Sequence, residues 1–187
     1  MPFSGVNLPA SEPDPYEMSI DDNLSYPQVP SKASAGIKEH MSRLAARLKQ
    51  KGLPSTSYRG GQVIQVVIPC SLLFAPNEDK LMPGASKLLQ PLVEVAGQEA
   101  LYKIVLSVHA DDTGDDVYAN DLTERRAVAV DDFFNETLGD ECCVIVPYGM
   151  GKADAITDNS SIANRARNRR LEVFIIPETA LIEAAKN

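Results

Sequence analysis

The hydrophobic residues of this chain recur at helical spacing in three separate segments. The first segment ends at Gly52 and Pro54, the second opens at Pro83, and the third covers residues 122–138. Residues three and four positions apart share one face of a helix, so each segment predicts an amphipathic helix that packs on a core. The apolar positions that define these helices are Ile37, Met41, Leu44 and Leu48, then Leu88, Leu89, Leu92, Val93 and Val95, then Ala127, Val130, Phe133 and Phe134.

Short runs of branched apolar residues predict strands between and after these helices. The runs lie at residues 63–68, 104–108, 143–146 and 170–176. Pro69 indicates a bend or an edge position at the end of the first run. A polar loop is expected at 149–160 and a short helix at 179–185. Helices that alternate with strands indicate an α/β (α+β) two-layer sandwich, in which helices pack on one sheet.

The first 35 residues differ in composition from the rest of the chain. They hold six of its 13 prolines, and five acidic residues against a single base, Lys32. Such a segment buries too little apolar area to offset its backbone entropy, so we expect a flexible arm over 1–35 and a domain over 36–187. The apolar residues scattered along this arm are able to dock on a partner or on the domain. They are Tyr16, Ile20, Leu24 and Tyr26.

The charge balance narrows the classes of function. The net charge is -8 and the isoelectric point is near 4.8. Because a nucleic-acid binder needs a cationic surface, we expect no nucleic-acid partner.

We expect neither a membrane-spanning helix nor a signal peptide in this sequence. Bases between the apolar positions of the first helix leave one alternative open, a basic helix at a membrane surface. These bases are Lys38, Arg43, Arg47 and Lys49.

The residues most suggestive of chemistry lie at 109–126, where a strand end leads through an acidic loop to a helix start. Asp121 or Thr123 is expected to cap that helix. Asp111 at the strand end and Arg126 in the helix are able to lie close together. Such a pair binds a zwitterion, since the carboxylate takes an ammonium and the guanidinium takes a carboxylate. The alternative is a surface salt bridge worth about 0–1 kcal/mol and without function.

Three separated motifs resemble those of one known family. They are Val-His-Ala-Asp at 108–111 with Gly114 and Tyr118, Leu-Thr-Glu-Arg-Arg-Ala at 122–127, and Asn-Arg-Arg-Leu-Glu at 168–172. A fourth segment, at 73–84, is similar to the family's entry into its first helix. On these motifs, residues from about 63 to 177 resemble the OmpA-like peptidoglycan-binding domain, of the OmpA C-terminal and Pal type.

The resemblance implies a βαβαββ domain, here with an extra N-terminal helix. It implies that the protein binds the diaminopimelate of peptidoglycan stem peptides without catalysis and without a cofactor. Asp111 would then receive the ligand ammonium and Arg126 the ligand carboxylate. The other expected contacts are Arg169, Asn77, Ala110 and Leu122. The expected location is the periplasm, at the cell wall or outer membrane, with an envelope or outer-membrane protein as a further partner.

The sequence departs from the family pattern next to the expected pocket. Ala119 replaces the family's asparagine, although Asn120 follows it, and the loop carries four aspartates that repel a ligand carboxylate. An alternative function is therefore a protein-interaction module of an envelope assembly with a degenerate pocket. The four aspartates also suggest calcium, but their spacing does not fit an EF-hand, and we expect no metal site. His109 follows a buried strand and is expected to be a packed structural residue.

Overall fold

The structure, a computed structural model, describes residues 12–186. Its α-helices are α1 Ile20–Ser25, α2 Ser31–Gln50, α3 Ala85–Ala96, α4 Asp116–Leu138, α5 Ile162–Asn168 and α6 Thr179–Ala184. Its strands are β1 Ser55–Tyr58, β2 Val63–Pro69, β3 Tyr102–His109, β4 Ile145–Gly151 and β5 Arg170–Pro177. Within this part of the chain, no helix has both the length and the apolar character needed to cross a membrane.

The five strands form one sheet in the order β1-β2-β5-β3-β4. All neighbours are antiparallel except β3 and β4, which are parallel. Because β2 and β3 both run antiparallel to β5, they run parallel to each other, and their C-terminal ends lie at the same edge of the sheet. Alternate strand residues, such as Ile104 and Leu106 of β3, enter the main core together with residues of α2, α3 and α4. The prediction of a two-layer sandwich is confirmed.

Two glycines let α4 lie directly on β4. A Cβ atom at Gly149 would be 2.3 Å from the backbone nitrogen of Glu124, and one at Gly151 would be 2.0 Å from the side-chain oxygen of Asn120. The backbone N–H of Gly151 also donates to the Thr123 hydroxyl at 2.9 Å. The N-terminal half of α4 is therefore fixed against the sheet.

The element boundaries differ from the predicted ones where the sequence is polar. Strand β1 and helix α5 were not predicted, since the first has a Ser-Thr-Ser-Tyr sequence and the second is short and rich in arginine. Helix α4 begins at Asp116, and its N-cap is Asp115, so neither Asp121 nor Thr123 caps it. Strand β4 continues to Gly151, inside the predicted loop. Pro69 ends β2, which lies between two strands and is not at an edge.

The expected flexible arm over 1–35 is wrong for the part that the structure describes, residues 12–35. Residues 15–17 form a 3-10 helix, α1 follows, and α2 begins within the segment, at Ser31. Leu24 packs into a second apolar cluster on the sheet face opposite α3 and α4, beside Val105 and Phe174. Residues 1–11 lie outside the described part of the chain.

The physical reason for this docking is a lysine buried beneath the segment. Lys103 of β3 is 1% exposed, and its ammonium donates to the backbone and side-chain oxygens of Asn23 at 3.0 Å each and to the Tyr26 carbonyl at 2.6 Å. Burial lowers the pKa of Lys103 to about 8, so the group is still mainly charged at pH 7. A buried charge needs such acceptors, and composition alone does not reveal them.

A polar cluster lies on the same sheet face, at the C-terminal end of β3. His109 is 2% exposed, donates from Nδ1 to the Ala153 carbonyl at 2.9 Å, and has Nε2 at 3.3 Å from the Ser107 hydroxyl. The Nε2 atom also lies 3.8 Å from the Glu172 carboxylate, which in turn accepts from Arg170. His109 is thus a packed structural residue, as predicted.

We expect Asn23→Ala to destabilise the protein by about 2–3 kcal/mol, since it removes an acceptor from the buried charge of Lys103 and a donor to the Pro15 carbonyl. Urea denaturation measures this change. The matched control is Ser25→Ala, which removes one exposed hydrogen bond to Asp21 and should cost less than about 1 kcal/mol. Equal losses of unfolding free energy in the two variants would contradict the role of Asn23 as a partner of the buried Lys103 charge.

The stability of the protein should also depend on pH through His109. Burial lowers the pKa of His109, and the nearby Arg170 guanidinium lowers it further, against the opposing effects of Ala153 and Glu172. The folded state therefore binds fewer protons at His109 than the unfolded state does, so this residue destabilises the fold as pH falls below about 6.5. Between pH 8 and pH 5.5, wild type should lose more stability in urea than His109→Gln does. Equal losses of unfolding free energy in wild type and His109→Gln would show that His109 does not contribute to the pH dependence of stability.

Candidate functional site

A cavity of about 600 Å³ opens at the sheet edge where β2 and β3 end. Its walls come from the loop that follows β2, the loop that follows β3, the first turns of α4 and the residue before β5. All six residues expected to contact a ligand line this cavity: Asp111, Arg126, Arg169, Asn77, Ala110 and Leu122. The sequence motifs therefore come together in one place, although up to 92 positions separate the residues along the chain, from Asn77 to Arg169.

Asp111 supplies the negative charge of the cavity. One carboxylate oxygen accepts hydrogen bonds from the Thr113 backbone, at 2.9 Å, and from the Thr113 hydroxyl, while the other accepts from Arg169. Burial by itself raises the pKa of Asp111, but the bonds from Thr113 and Arg169 outweigh it and hold the pKa below its ordinary value. The carboxylate is therefore ionised at neutral pH.

Arg126 lines the same cavity and is 5% exposed. Its Nε donates to the Glu78 carbonyl at 2.7 Å and its Nη2 to the Ala75 carbonyl at 3.2 Å, and its guanidinium lies 4.9 Å from the centre of the Phe74 ring. These contacts tie the loop after β2 to α4. Nη1 donates no hydrogen bond to the described residues, 12–186. Arg126 does not pair with Asp111, whose partner is Arg169.

The three residues at 168–170 have three separate roles. Asn168 is fully buried and bonds to Ile156, Thr157 and Asn159, so it holds the loop after β4 in place. Arg169 points to the cavity and pairs with Asp111. Arg170 is buried on the other sheet face and pairs with Glu172 at 2.7 Å. Of these three residues, only Arg169 can therefore contact a ligand in the cavity.

Several cavity residues were not among those predicted. The Tyr118 hydroxyl donates to the Asn77 side chain at 3.0 Å, which links α4 to the loop after β2. Asn77 has a positive φ of 62°, a conformation that asparagine tolerates better than most residues. Tyr118 and Phe74 both line the cavity. Their positions in the family motifs could have identified them, since Tyr118 belongs to the first motif and Phe74 to the similar segment at 73–84. Met82, which also lines the cavity, lies in that same upstream segment, whereas Thr113 lies between the motif residues Asp111 and Gly114 and had no signal of its own.

The other aspartates of the loop after β3 do not line the cavity. Asp115 caps α4 by accepting from the backbone of Tyr118 at 2.7 Å, and Asp116 pairs with Lys152 at 3.2 Å. The neighbouring Ala119 is buried in the cavity wall, whereas Asn120 faces Gly151 of β4. Asn120 therefore does not take the place of the family's asparagine, and the loop adds only one carboxylate to the cavity.

No group of three metal-ligating side chains (His, Cys, Asp or Glu) lies close enough together to hold an ion among residues 12–186. The cavity instead combines one fixed anion with two guanidinium groups and apolar lining residues that include Phe74 and Leu122. This arrangement suits a molecule that carries an ammonium, a carboxylate and an aliphatic portion.

Known proteins are similar to this chain in sequence. The OmpA family model matches residues 73–169. The outer-membrane lipoprotein YfiB of Pseudomonas aeruginosa is 32% identical over 107 residues, which cover 57% of this chain and 63% of that protein. The outer membrane porin F of the same organism is 37% identical over 117 residues, which cover 63% of this chain and 33% of that protein. The matches thus span less than two thirds of each of these two relatives.

Solved structures share the architecture. A MotB-like protein from Desulfovibrio vulgaris superposes with a TM-score of 0.66 at 22% identity, covering 77% of this chain and 98% of that one. The cell wall anchor of the T6SS from Pseudomonas aeruginosa gives a TM-score of 0.60 at 22% identity, with coverages of 74% and 97%. Because the family model matches just over half of the chain, and the motifs that it spans form one cavity, this chain belongs to the OmpA family.

Proposed function

We propose that this protein binds peptidoglycan through the cavity, without catalysis, and anchors an envelope component to the cell wall. The specific ligand is the free zwitterionic end of diaminopimelate in a stem peptide. The observation that carries the proposal is the placement of Asp111, Arg126 and Arg169 around one cavity.

The charges match those of this ligand. The Asp111 carboxylate takes the ligand ammonium, and the ligand carboxylate takes Nη1 of Arg126 together with Arg169. In the structure, Asp111 and Arg169 neutralise each other. The ligand replaces that pair with two new pairs, so no buried charge is left without a partner.

The apolar walls match the rest of the ligand. Phe74, Met82 and Leu122 line the cavity beside the charged groups. The methylene groups between the two ends of diaminopimelate would pack on these side chains, and each buried methylene contributes about 0.8 kcal/mol. A lysine in the same position of the stem peptide offers the ammonium but lacks the second carboxylate, so we expect it to bind more weakly.

The names of the relatives support a location in the cell envelope. The names of the related proteins include an outer-membrane lipoprotein and an outer membrane porin, and one structural neighbour is a cell wall anchor. We therefore assign the protein to the periplasmic side of the envelope, at the wall or the outer membrane. An envelope or outer-membrane protein is a further proposed partner.

The test is a pull-down on insoluble diaminopimelate-type peptidoglycan at physiological salt. Wild type should sediment with the wall, and Asp111→Asn and Arg169→Gln should each bind at least tenfold more weakly, since a hydrogen bond to a charged group contributes about 1.5–3 kcal/mol. Lysine-type peptidoglycan, used in parallel, should retain less wild-type protein.

The matched control is Arg167→Gln, which removes an exposed guanidinium of α5 two positions from Arg169 and outside the cavity lining. It should bind like wild type. Wild type that stays in solution would refute wall binding and favour the alternative, a protein-interaction module. Sedimentation of all four proteins to the same extent would show that another surface holds the wall.

A further inference from the structure

Helix α2 carries an unusual concentration of positive charge for so acidic a protein. Residues 31–51, which include α2 and its C-cap, hold six of the 18 basic residues of the chain and only one of its 26 acidic residues. This helix precedes the segment that the family model matches, residues 73–169, so the family assignment does not account for it.

Most of these bases face solvent without an acidic partner. Arg43 pairs with Glu39 at 2.9 Å, and Lys51 pairs with Glu94. Among residues 12–186, no carboxylate forms an ion pair with the remaining four bases of this segment, and all four are exposed: Lys32, Lys38, Arg47 and Lys49.

The apolar side of α2 is already used. Ile37, Met41 and Leu48 are at most 2% exposed and belong to the main core. The helix therefore cannot insert an apolar face into a bilayer, and any contact through its outer side is electrostatic. On that outer side, small residues such as Ala35 and Ala46 lie between bases on both flanks, which leaves a convex basic surface about 30 Å long.

The basic surface and the cavity lie at opposite edges of the sheet. The His40 ring contacts the Tyr102 hydroxyl at the start of β3, at 2.5 Å, and Lys38 lies beside Gly61, just before β2. The cavity lies at the C-terminal ends of these two parallel strands. The eight residues of β3 alone separate the two edges by about 25 Å.

We propose that the solvent face of α2 docks on an anionic phospholipid surface, by contact of its lysine and arginine side chains with lipid phosphates. This docking does not depend on the ligand in the cavity. The net charge of -8 does not prevent it, because charges more than about 8 Å apart are screened at physiological salt. The acidic residues of 14–22 lie on the opposite sheet face, with α1. A domain with these two surfaces would bridge the wall and a membrane.

The experiment is sedimentation of the full chain with vesicles of phosphatidylglycerol and phosphatidylcholine, compared with vesicles of phosphatidylcholine alone. Wild type should bind the anionic vesicles only, and less strongly as salt is raised. The triple variant Lys38→Gln, Arg47→Gln, Lys49→Gln should bind about a hundredfold more weakly, at about fivefold for each charge removed. Circular dichroism and retained wall binding would show that this variant is folded.

The matched control is the triple variant Lys80→Gln, Lys87→Gln, Arg167→Gln, which changes the net charge equally at exposed positions outside α2. It should bind anionic vesicles like wild type. Equal binding of wild type to both vesicle types, or equal losses in the two triple variants, would overturn the proposal. So would a concentration-dependent dimer that only the α2 variant abolishes, without vesicle binding, because it would assign the surface to a second copy of the chain.

Discussion

The direct contact of α4 with β4 determines where the functional residues lie. Gly149 has no room for a side chain because the backbone of Glu124 occupies that space. With α4 held at this distance from the sheet, Leu122 and Arg126 reach the cavity into which the loop after β3 places Asp111. The two halves of the site thus come from different parts of the chain, and a glycine outside the cavity lining holds them together.

The sequence predicted the parts of the fold that depend on apolar periodicity. The helices that became α2, α3 and α4, and the strands that became β2, β3, β4 and β5, all carry it. Strand β1 and helix α5 do not, because neither buries a continuous apolar side. The prediction of a flexible arm was wrong at 12–30 for a related reason. This segment docks through backbone carbonyls that accept from Lys103 and Arg59, and every residue has such a carbonyl, so the side-chain sequence does not mark them.

The site was predictable as a set of residues but not as a set of contacts. Motif resemblance located the cavity lining. Asp111 and Arg126 were expected to bind the two charges of one ligand, with a salt bridge between them as the alternative. The structure instead pairs Asp111 with Arg169 and ties Arg126 to the carbonyls of Ala75 and Glu78. Which of two arginines neutralises one carboxylate depends on the path of the loops, and spacing along the chain does not determine that path.

On the proposed function, the pair of Asp111 and Arg169 is the interaction that ligand binding rearranges. The ligand ammonium would compete with Arg169 for Asp111, and the ligand carboxylate would compete with Asp111 for Arg169. A molecule with both charges would give each residue a new partner, whereas an amine or an acid alone would replace the partner of only one of them. The salt bridge would therefore favour a zwitterion over the amines and acids of the surroundings, each of which carries one of the two charges.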